Sequence, residues 1–321
     1  MVKIFDVICI GAALVDIIAQ VVRHPLDDDE VFVSDLSILS GGAAANTAYA
    51  CAKIGLSTAF IGKLGEKDTF SEKIINDFKE VSVDTKLIKY SRDQKTGSAY
   101  VALNQKGERR IYAYSGAANY LSKKDISEKE LKNTKIIFLS SLRNLEPLQI
   151  AAEIGKSINI PVILNPGMLI VDQGFTKLKK LLEKIDVLIL SQREYRTLLN
   201  IKENELNEES IIKYSRILLS LGIRVIVVTL GEKGSFFLTE KGSGLITSLE
   251  LSNVIDTTGA GDAFSAGFMY GLAQSMIFDV EHLRTYLKTG NYLAGNCIQK
   301  IGARNGIPNR DHLKIFWNSN K

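Results

Sequence analysis

Five apolar runs of strand length punctuate the chain: Phe5–Ile10, Lys135–Leu139, Pro161–Leu164, Val187–Leu190 and Arg224–Thr229. They are rich in Val, Ile and Leu and read as continuous rather than alternating. A strand that is apolar on both sides must be covered on both sides, the condition met by a parallel sheet inside a coat of helices. Helical patterns fall between the runs, at Asn46–Ile54, Pro147–Ile158, Phe175–Lys184, Gln192–Leu199 and Glu208–Leu221. Gly55 and Gly222 follow two of them, as stop signals do. The alternation predicts a doubly wound α/β fold with a mostly parallel sheet. Ligands then collect at the carboxyl ends of the strands.

Two pairs of segments break this rhythm. Ser98–Leu103 and Arg109–Tyr114 alternate apolar and polar residues around Gln105-Lys106-Gly107-Glu108, which predicts a β-hairpin. Val15–Val22 and Val31–Ile38 form a second pair around Asp27-Asp28-Asp29-Glu30. Together they predict a small antiparallel sheet that projects from the core, one face open for a ligand, a lid role or a partner. Internal repeats and Pro/Ser-rich linkers are missing. The expectation is one α/β domain over residues 1–321, with projecting segments at about 12–38 and 97–115.

Composition excludes several classes. Hydrophobic residues make up 45% of the chain, enough for a sizeable core, and the net charge is only +4. Acidic and basic residues are interspersed, so a nucleic-acid partner is not expected. Cys9, Cys51 and Cys297 are odd in number and far apart, as expected of free thiols in a reducing cytoplasm. Met1 leads directly into a strand-like run, so a signal peptide is not expected. Apolar stretches stop short of the roughly 18 residues that a membrane span needs.

The chemistry is concentrated in Asp256-Thr257-Thr258-Gly259-Ala260-Gly261-Asp262-Ala263-Phe264, which opens the apolar helical pattern Phe264, Phe268, Met269, Leu272. A small-residue turn at a helix start aims free N–H groups and the positive dipole end at one point, which suits phosphate. Asp262 at that mouth is either a cap or a base facing a substrate. A second glycine-rich start, Ser40-Gly41-Gly42-Ala43-Ala44-Ala45-Asn46, lets a ligand approach the backbone. Asn46 there suits sugar hydroxyls or a helix cap equally. Gly11 through Asp16 follow the first strand, where Asp16 either binds a hydroxyl pair or is a solvated loop residue. A P-loop and a dinucleotide fingerprint are both missing. His24, His282 and His312 are dispersed, which leaves no zinc pattern.

In these motifs the chain resembles the PfkB-type, ribokinase-like carbohydrate kinases. Asp256–Phe264 is similar to that family's C-terminal signature, Gly41-Gly42 with Asn46 to its N-terminal signature, and Gly11 with Asp16 to its sugar-binding opening. Thr229-Leu230-Gly231 with Gly234 resembles the loop along the nucleotide phosphates. Ser115-Gly116-Ala117-Ala118-Asn119 resembles the stretch after the lid hairpin. Asn291 and Gly302-Ala303, before Pro308, resemble elements near adenine and a monovalent cation. The match spans nearly the whole chain in family order. It implies an ATP-dependent phosphotransferase in which Asp262 takes the proton of a hydroxyl and the amides of Gly259, Ala260 and Gly261 hold the developing phosphoryl charge. Gly11, Asp16, Gly41, Gly42, Asn46 and Asn119 would bind the acceptor. Ser191, Thr229, Gly231, Gly234 and Asn291 would bind ATP. Asp256 and Thr258, with backbone from the 302–306 region, would resemble a K⁺ site, although Asp256 also suits a turn cap. The resemblance further implies a homodimer formed through the β lid.

One departure concerns Mg²⁺. The family's Asn-x-x-Glu is here Ser191-Gln192-Arg193-Glu194. Glu194 is retained for the metal network and Ser191 replaces the amide; Ser-x-x-Glu is equally a capping box, and both roles can hold. A second departure concerns the acceptor. Ribokinases carry Lys at the position of Ala43, which counts against ribose here. A sugar or sugar-like acceptor is expected. The alternatives are a nucleoside acceptor seated against Phe32, Tyr100, Tyr112 and Tyr114, or a sensing protein without turnover.

Overall fold

In a computed structural model, which describes residues 5–106, 108–251 and 253–320, each of the five apolar runs is a strand. Met1 and the hairpin residue Gly107 lie outside the described residues. In chain order the strands begin with β1 (Phe5–Ile10), β2 (Leu14–Val21), β3 (Val33–Gly41), β4 (Thr58–Ile61) and β5 (Lys63–Gly65). They continue with β6 (Lys89–Ser91), β7 (Gly97–Asn104), β8 (Arg109–Tyr114), β9 (Thr134–Ser140) and β10 (Val162–Asn165). The last are β11 (Val187–Ser191), β12 (Val225–Thr229), β13 (Ser235–Thr239) and β14 (Gly242–Ile246).

The main sheet has the order β14-β13-β12-β11-β10-β9-β1-β4. It is parallel from β4 to β12, and β13 and β14 close it antiparallel. Alternate residues of each strand feed opposite layers. Val7, Cys9, Ile136, Phe138 and Val187 pack with Ala263, Phe264 and Phe268, whereas Ile8, Ile10, Ile137, Leu139 and Leu188 pack with Leu148, Leu178 and Leu198. Fully burying one such side chain contributes about 1.5–3 kcal/mol, so both faces hold the sheet in its coat.

Helix bounds shift slightly from the sequence pattern. The first helix is Ala43–Lys53 with Gly42 as its N-cap, so Asn46 lies inside it and is not a cap. The helices Phe175–Leu182 and Glu208–Leu219 each end two residues early. Three strands of the main sheet escape the apolar-run criterion: β4 and β13 begin on hydroxyl residues, and β14 carries Gly-Ser-Gly.

The two hairpins form a separate sheet of order β3-β2-β7-β8. Each hairpin is antiparallel, and they join along a parallel pair, β2 with β7, in the register Val15↔Ser98 to Val21↔Asn104. One face stays open: Leu36, Ile38, Tyr100 and Tyr112 line it and are all exposed. Cys9, Cys51 and Cys297 are free and buried. Among the described residues, no helix is long and apolar enough to cross a membrane.

Candidate active site

The parallel strands end together. Ser191 and Thr229 stand side by side at the ends of β11 and β12, Ser140 and Asn165 at the ends of β9 and β10, and Gly11 follows β1. This edge is where a doubly wound sheet offers a binding crevice. Two glycine-rich helix starts face it.

The first, Gly41-Gly42, is packed tightly. A Cβ on Gly41 would lie 2.3 Å from Asp16 Oδ2, and one on Gly42 would lie 2.5 Å from the Ala12 carbonyl oxygen. Gly42 also has φ 93°, a left-handed conformation that side chains disfavour. Gly11 is equally confined, its Cβ position 2.3 Å from the Ser140 carbonyl oxygen. Asp16 is thereby held against the turn. Among the described residues its carboxylate has no hydrogen-bond partner in the chain. Burial raises its pKa, and the charge of Arg304 opposes that shift.

The second start is the helix Ala260–Ser275, with Gly259 as N-cap at φ 80° and no capping side chain. Gly259 must be glycine because a Cβ would lie 2.5 Å from the Ala303 Cβ. The Ala260 amide donates to the Thr257 carbonyl at 3.3 Å, whereas the Gly259 and Gly261 amides find no backbone acceptor among the described residues. A Cβ on Gly261 would meet nothing within 4 Å. That open side forms part of a cavity of about 510 Å³ lined also by Thr229, Gly231, Gly234 and Asn291, with Leu249 and Phe264 on its apolar wall. All four residues assigned to the nucleotide on β12, its loop and the penultimate helix therefore meet at the free amides. Asn291 also braces the cavity, its Nδ2 donating to the carbonyls of Ile246 (3.0 Å) and Thr247 (3.1 Å).

The two starts touch through their side chains. Asn46 Nδ2 donates to Asp262 Oδ2 at 3.0 Å, and Asn46 Oδ1 accepts from Arg304 Nε at 2.9 Å. Asp262 does not cap its helix. Its carboxyl lies deep enough that burial pushes its pKa up to about 7, with Glu194 adding to the rise and Asn46 and Arg304 working against it. A carboxylate poised near neutrality at the mouth of a crevice is suited to accept a proton.

Asp256, at the other end of the same turn, is spent on structure. Its Oδ1 accepts from Thr258 N (3.0 Å) and Oγ1 (2.6 Å), and its Oδ2 accepts from Gly302 N (2.8 Å). Burial works to raise this carboxyl, but the Thr258 and Gly302 hydrogen bonds with Arg109 overcome it and hold it below the ordinary value. Ser191 and Glu194 form the capping box: Glu194 Oε2 accepts from Ser191 N at 2.8 Å and Ser191 Oγ from Glu194 N at 3.2 Å. The other Glu194 oxygen accepts no hydrogen bond among the described residues. Asn119 lies exposed in the 3-10 turn Gly116–Tyr120 that follows β8. Among the described residues, no group of three or more His, Cys, Asp or Glu side chains is placed to hold a metal ion.

Arg304 is the site residue that sequence reasoning missed. It follows the Gly302-Ala303 pair, and nothing local distinguishes it from a surface arginine, yet it is 8% exposed.

A family model, pfkB family carbohydrate kinase, matches residues 5–310. The chain belongs to this family. It is a phosphotransferase with an alcohol acceptor, a sugar or nucleoside kinase. A ribokinase of Staphylococcus aureus is 31% identical over 305 residues, covering 94% of this chain and 96% of that protein. The structure of Arabidopsis thaliana ribokinase complexed with ribose and ATP superposes on the kinase with a TM-score of 0.84 at 26% identity, covering 99% of both chains. The nucleoside kinase of Methanocaldococcus jannaschii shares the fold, with a TM-score of 0.80 at 21% identity over 99% of this chain and 100% of that one.

Proposed function

We propose that the kinase transfers the γ-phosphate of ATP to a hydroxyl of a sugar or sugar-like small molecule, with Asp262 as the base. The observation that carries this is the position of Asp262. It directly follows Gly261, which lines the cavity, and it accepts from Asn46 of the corner built with Gly11, Asp16, Gly41 and Gly42. ATP lies in the cavity, its base against Leu249, Phe264 and Asn291 and its phosphates along Thr229, Gly231 and Gly234. The acceptor lies in the corner, its hydroxyls on Asp16 and Asn46, with Asn119 reaching in from the lid side.

Asp262 takes the proton of the attacking hydroxyl as that oxygen bonds to the γ-phosphorus and the bridging oxygen leaves with ADP. Base catalysis of this kind contributes about 10²–10⁴-fold. The free amides of Gly259 and Gly261, with the helix dipole, stabilise the charge on the transferred group, and Ala260 joins them only if its bond to Thr257 loosens. Positioning and charge stabilisation are what phosphoryl transfer mainly requires.

Mg²⁺ would be held through the unengaged Glu194 oxygen, with water and phosphate completing its shell, and would supply charge neutralisation on the phosphates. Ser191 serves this only by fixing Glu194. Asp256 and Thr258 fit a K⁺ ion less well, because their oxygens already bond to each other and to Gly302.

The chain works as one domain over residues 1–321 in the cytoplasm, and pairs into a homodimer through the open apolar face of the lid segments at about 12–38 and 97–115. A nucleoside acceptor is the second reading, favoured by the exposed Phe32 just before β3 and the exposed Tyr100, Tyr112 and Tyr114 on β7 and β8.

A panel of pentoses, hexoses, sugar acids, sugar phosphates and nucleosides, each with ATP and Mg²⁺ and read by ADP release, tests the proposal. A sugar that drives release at least tenfold over background supports it. Release by nucleosides alone selects the second reading, and release by none favours a sensing role.

A further inference from the structure

We propose that Arg304 is a positioning residue for phosphoryl transfer: it fixes the side-chain amide of Asn46 and, through that amide, the carboxylate of Asp262. This rests on Asp262 being the base.

A buried guanidinium is unfavourable unless its donors are satisfied. Here, among the described residues, Nε is satisfied by Asn46 Oδ1 and the two terminal nitrogens find no hydrogen-bond partner. The charge nonetheless sits on the faces of Tyr49 and Phe78, 4.9 and 5.8 Å from the ring centroids. Its Nη1 lies 3.7 Å from Asp77 Oδ2. The main chain is clamped on both sides: Gly302 donates to Asp256, and Lys53 Nζ donates to the Arg304 carbonyl at 3.4 Å. The protein thus holds a cation in place that its own hydrogen bonding does not require.

The consequence runs through Asn46. An amide presents one acceptor and one NH₂ group. With its oxygen taken by Arg304 Nε, only the NH₂ can face Asp262, and that orientation favours the ionised carboxylate. If Arg304 were absent, the amide could turn and set oxygen against oxygen. The charge itself acts in the same direction on Asp262 and on Asp16.

The groups that bear on this pair come from every neighbouring element. Asp262 is faced by Asn46, Arg304, Glu194 and the Cys297 thiol. Arg304 is faced by Asp77, Tyr49, Asp16 and Asp262, with Lys53 on its carbonyl.

The test needs no acceptor. The full chain, labelled with ¹³C at aspartate carboxyls, is titrated by NMR, and the Asp262 signal is identified by its loss in Asp262→Asn. Arg304→Gln is expected to raise the Asp262 midpoint by at least one unit, about a tenfold change in the proton equilibrium. Arg304→Lys keeps a cation but lacks Nε and is expected to raise it by less. A folded Arg304→Gln chain with an unmoved midpoint overturns the proposal; should that variant not fold, an unmoved midpoint in Arg304→Lys overturns it instead.

A second arm uses ATP, Mg²⁺ and the panel sugar that gives most ADP release. kcat is expected to fall in Arg304→Gln with its acid limb moved to higher pH, while the KM for ATP holds. An unmoved limb overturns the proposal. If Asp262→Asn retains activity, the assignment of the base fails, while the carboxyl titration still decides what Arg304 does to Asp262.

Discussion

The helices that begin at Ala43 and Ala260 both start on a glycine of positive φ without a capping side chain, and they differ in what fills the space before them. In front of Gly41 and Gly42 stand Asp16 and the Ala12 carbonyl, at distances no added Cβ could tolerate. In front of Gly261 there is only the cavity. The first start is closed by the protein itself and serves to aim Asp16 and Asn46. The second keeps its Gly259 and Gly261 amides unspent beside an open cavity, as the proposed phosphate receptor would. The same local device, a glycine turn opening a helix, is rigid scaffold in one place and receptor in the other. The Asn46–Asp262 hydrogen bond joins the two.

The junction should give the largest effect when broken. Asp262→Asn keeps the shape and removes the base, so kcat with the productive acceptor should fall about 10²–10⁴-fold. In the unaltered enzyme kcat/KM should decline as pH falls through about 7, where burial has moved this carboxyl. Stability should move the other way. The folded chain holds a proton that the unfolded chain, with an ordinary carboxyl, has released, so stability falls as pH rises between the two midpoints and is flat outside them. Asp262→Asn lacks that slope and should melt higher than the parent at pH 8, with the gap closing on the acid side. Melting curves at several pH values, beside ADP-release assays, check both halves. Parallel melting profiles would show that Asp262 is not buried as described.

Gly261→Ala and Gly42→Ala separate the receptor start from the scaffold start. The methyl on residue 261 points into open space, so melting should hold while it displaces the phosphate end of the nucleotide; misplacement of this kind lowers kcat by up to about 10²-fold. The methyl on residue 42 meets a carbonyl in a left-handed conformation, so the folded state should lose about 1–3 kcal/mol. Denaturant midpoints and kcat, measured on both variants, should therefore rank them in opposite orders. Equal stability losses would remove the distinction drawn between the two starts.

How much of this was legible before folding follows the same division. The main sheet was, because Val187–Leu190 or Arg224–Thr229 could be little else than buried strands. β4, β13 and β14 were not, because Thr58–Ile61 and Ser235–Thr239 begin on hydroxyl residues and Gly242–Ile246 is rich in glycine. The helix starts were visible as Gly-Gly and Gly-Ala-Gly, and Asp262 as a carboxylate at a mouth. Their contact was not, since Asn46 and Asp262 are 216 residues apart and only the sheet order brings them together. Arg304 was invisible for the same reason: its partners Asn46, Tyr49 and Asp77 lie on two helices far up the chain, and no local periodicity marks a residue whose environment is wholly distant. The join of the two hairpins was also hidden, because β2 and β7 pair across two helices and four further strands.

The smallest effect is expected at an ion pair that ties the lid to the receptor start. Arg109, on β8, places Nη2 3.8 Å from Asp256 Oδ1, and its side chain is 51% exposed. Pairs this exposed contribute about 0–1 kcal/mol, so Arg109→Ala should leave the melting temperature nearly unchanged. Asp256, however, holds Thr258 and Gly302 in place around the open turn, and Arg109 is the lid's hand on that carboxylate. Losing it should loosen the approach of the lid to the phosphate end and raise the KM for ATP a few-fold. Salt discriminates this from a packing effect. At 1 M ionic strength the screening length is about 3 Å, shorter than the pair itself, so parent and variant should converge there. A KM difference that persists in high salt would mean that Arg109 acts by shape, and that the lid meets the receptor start through contacts other than this pair.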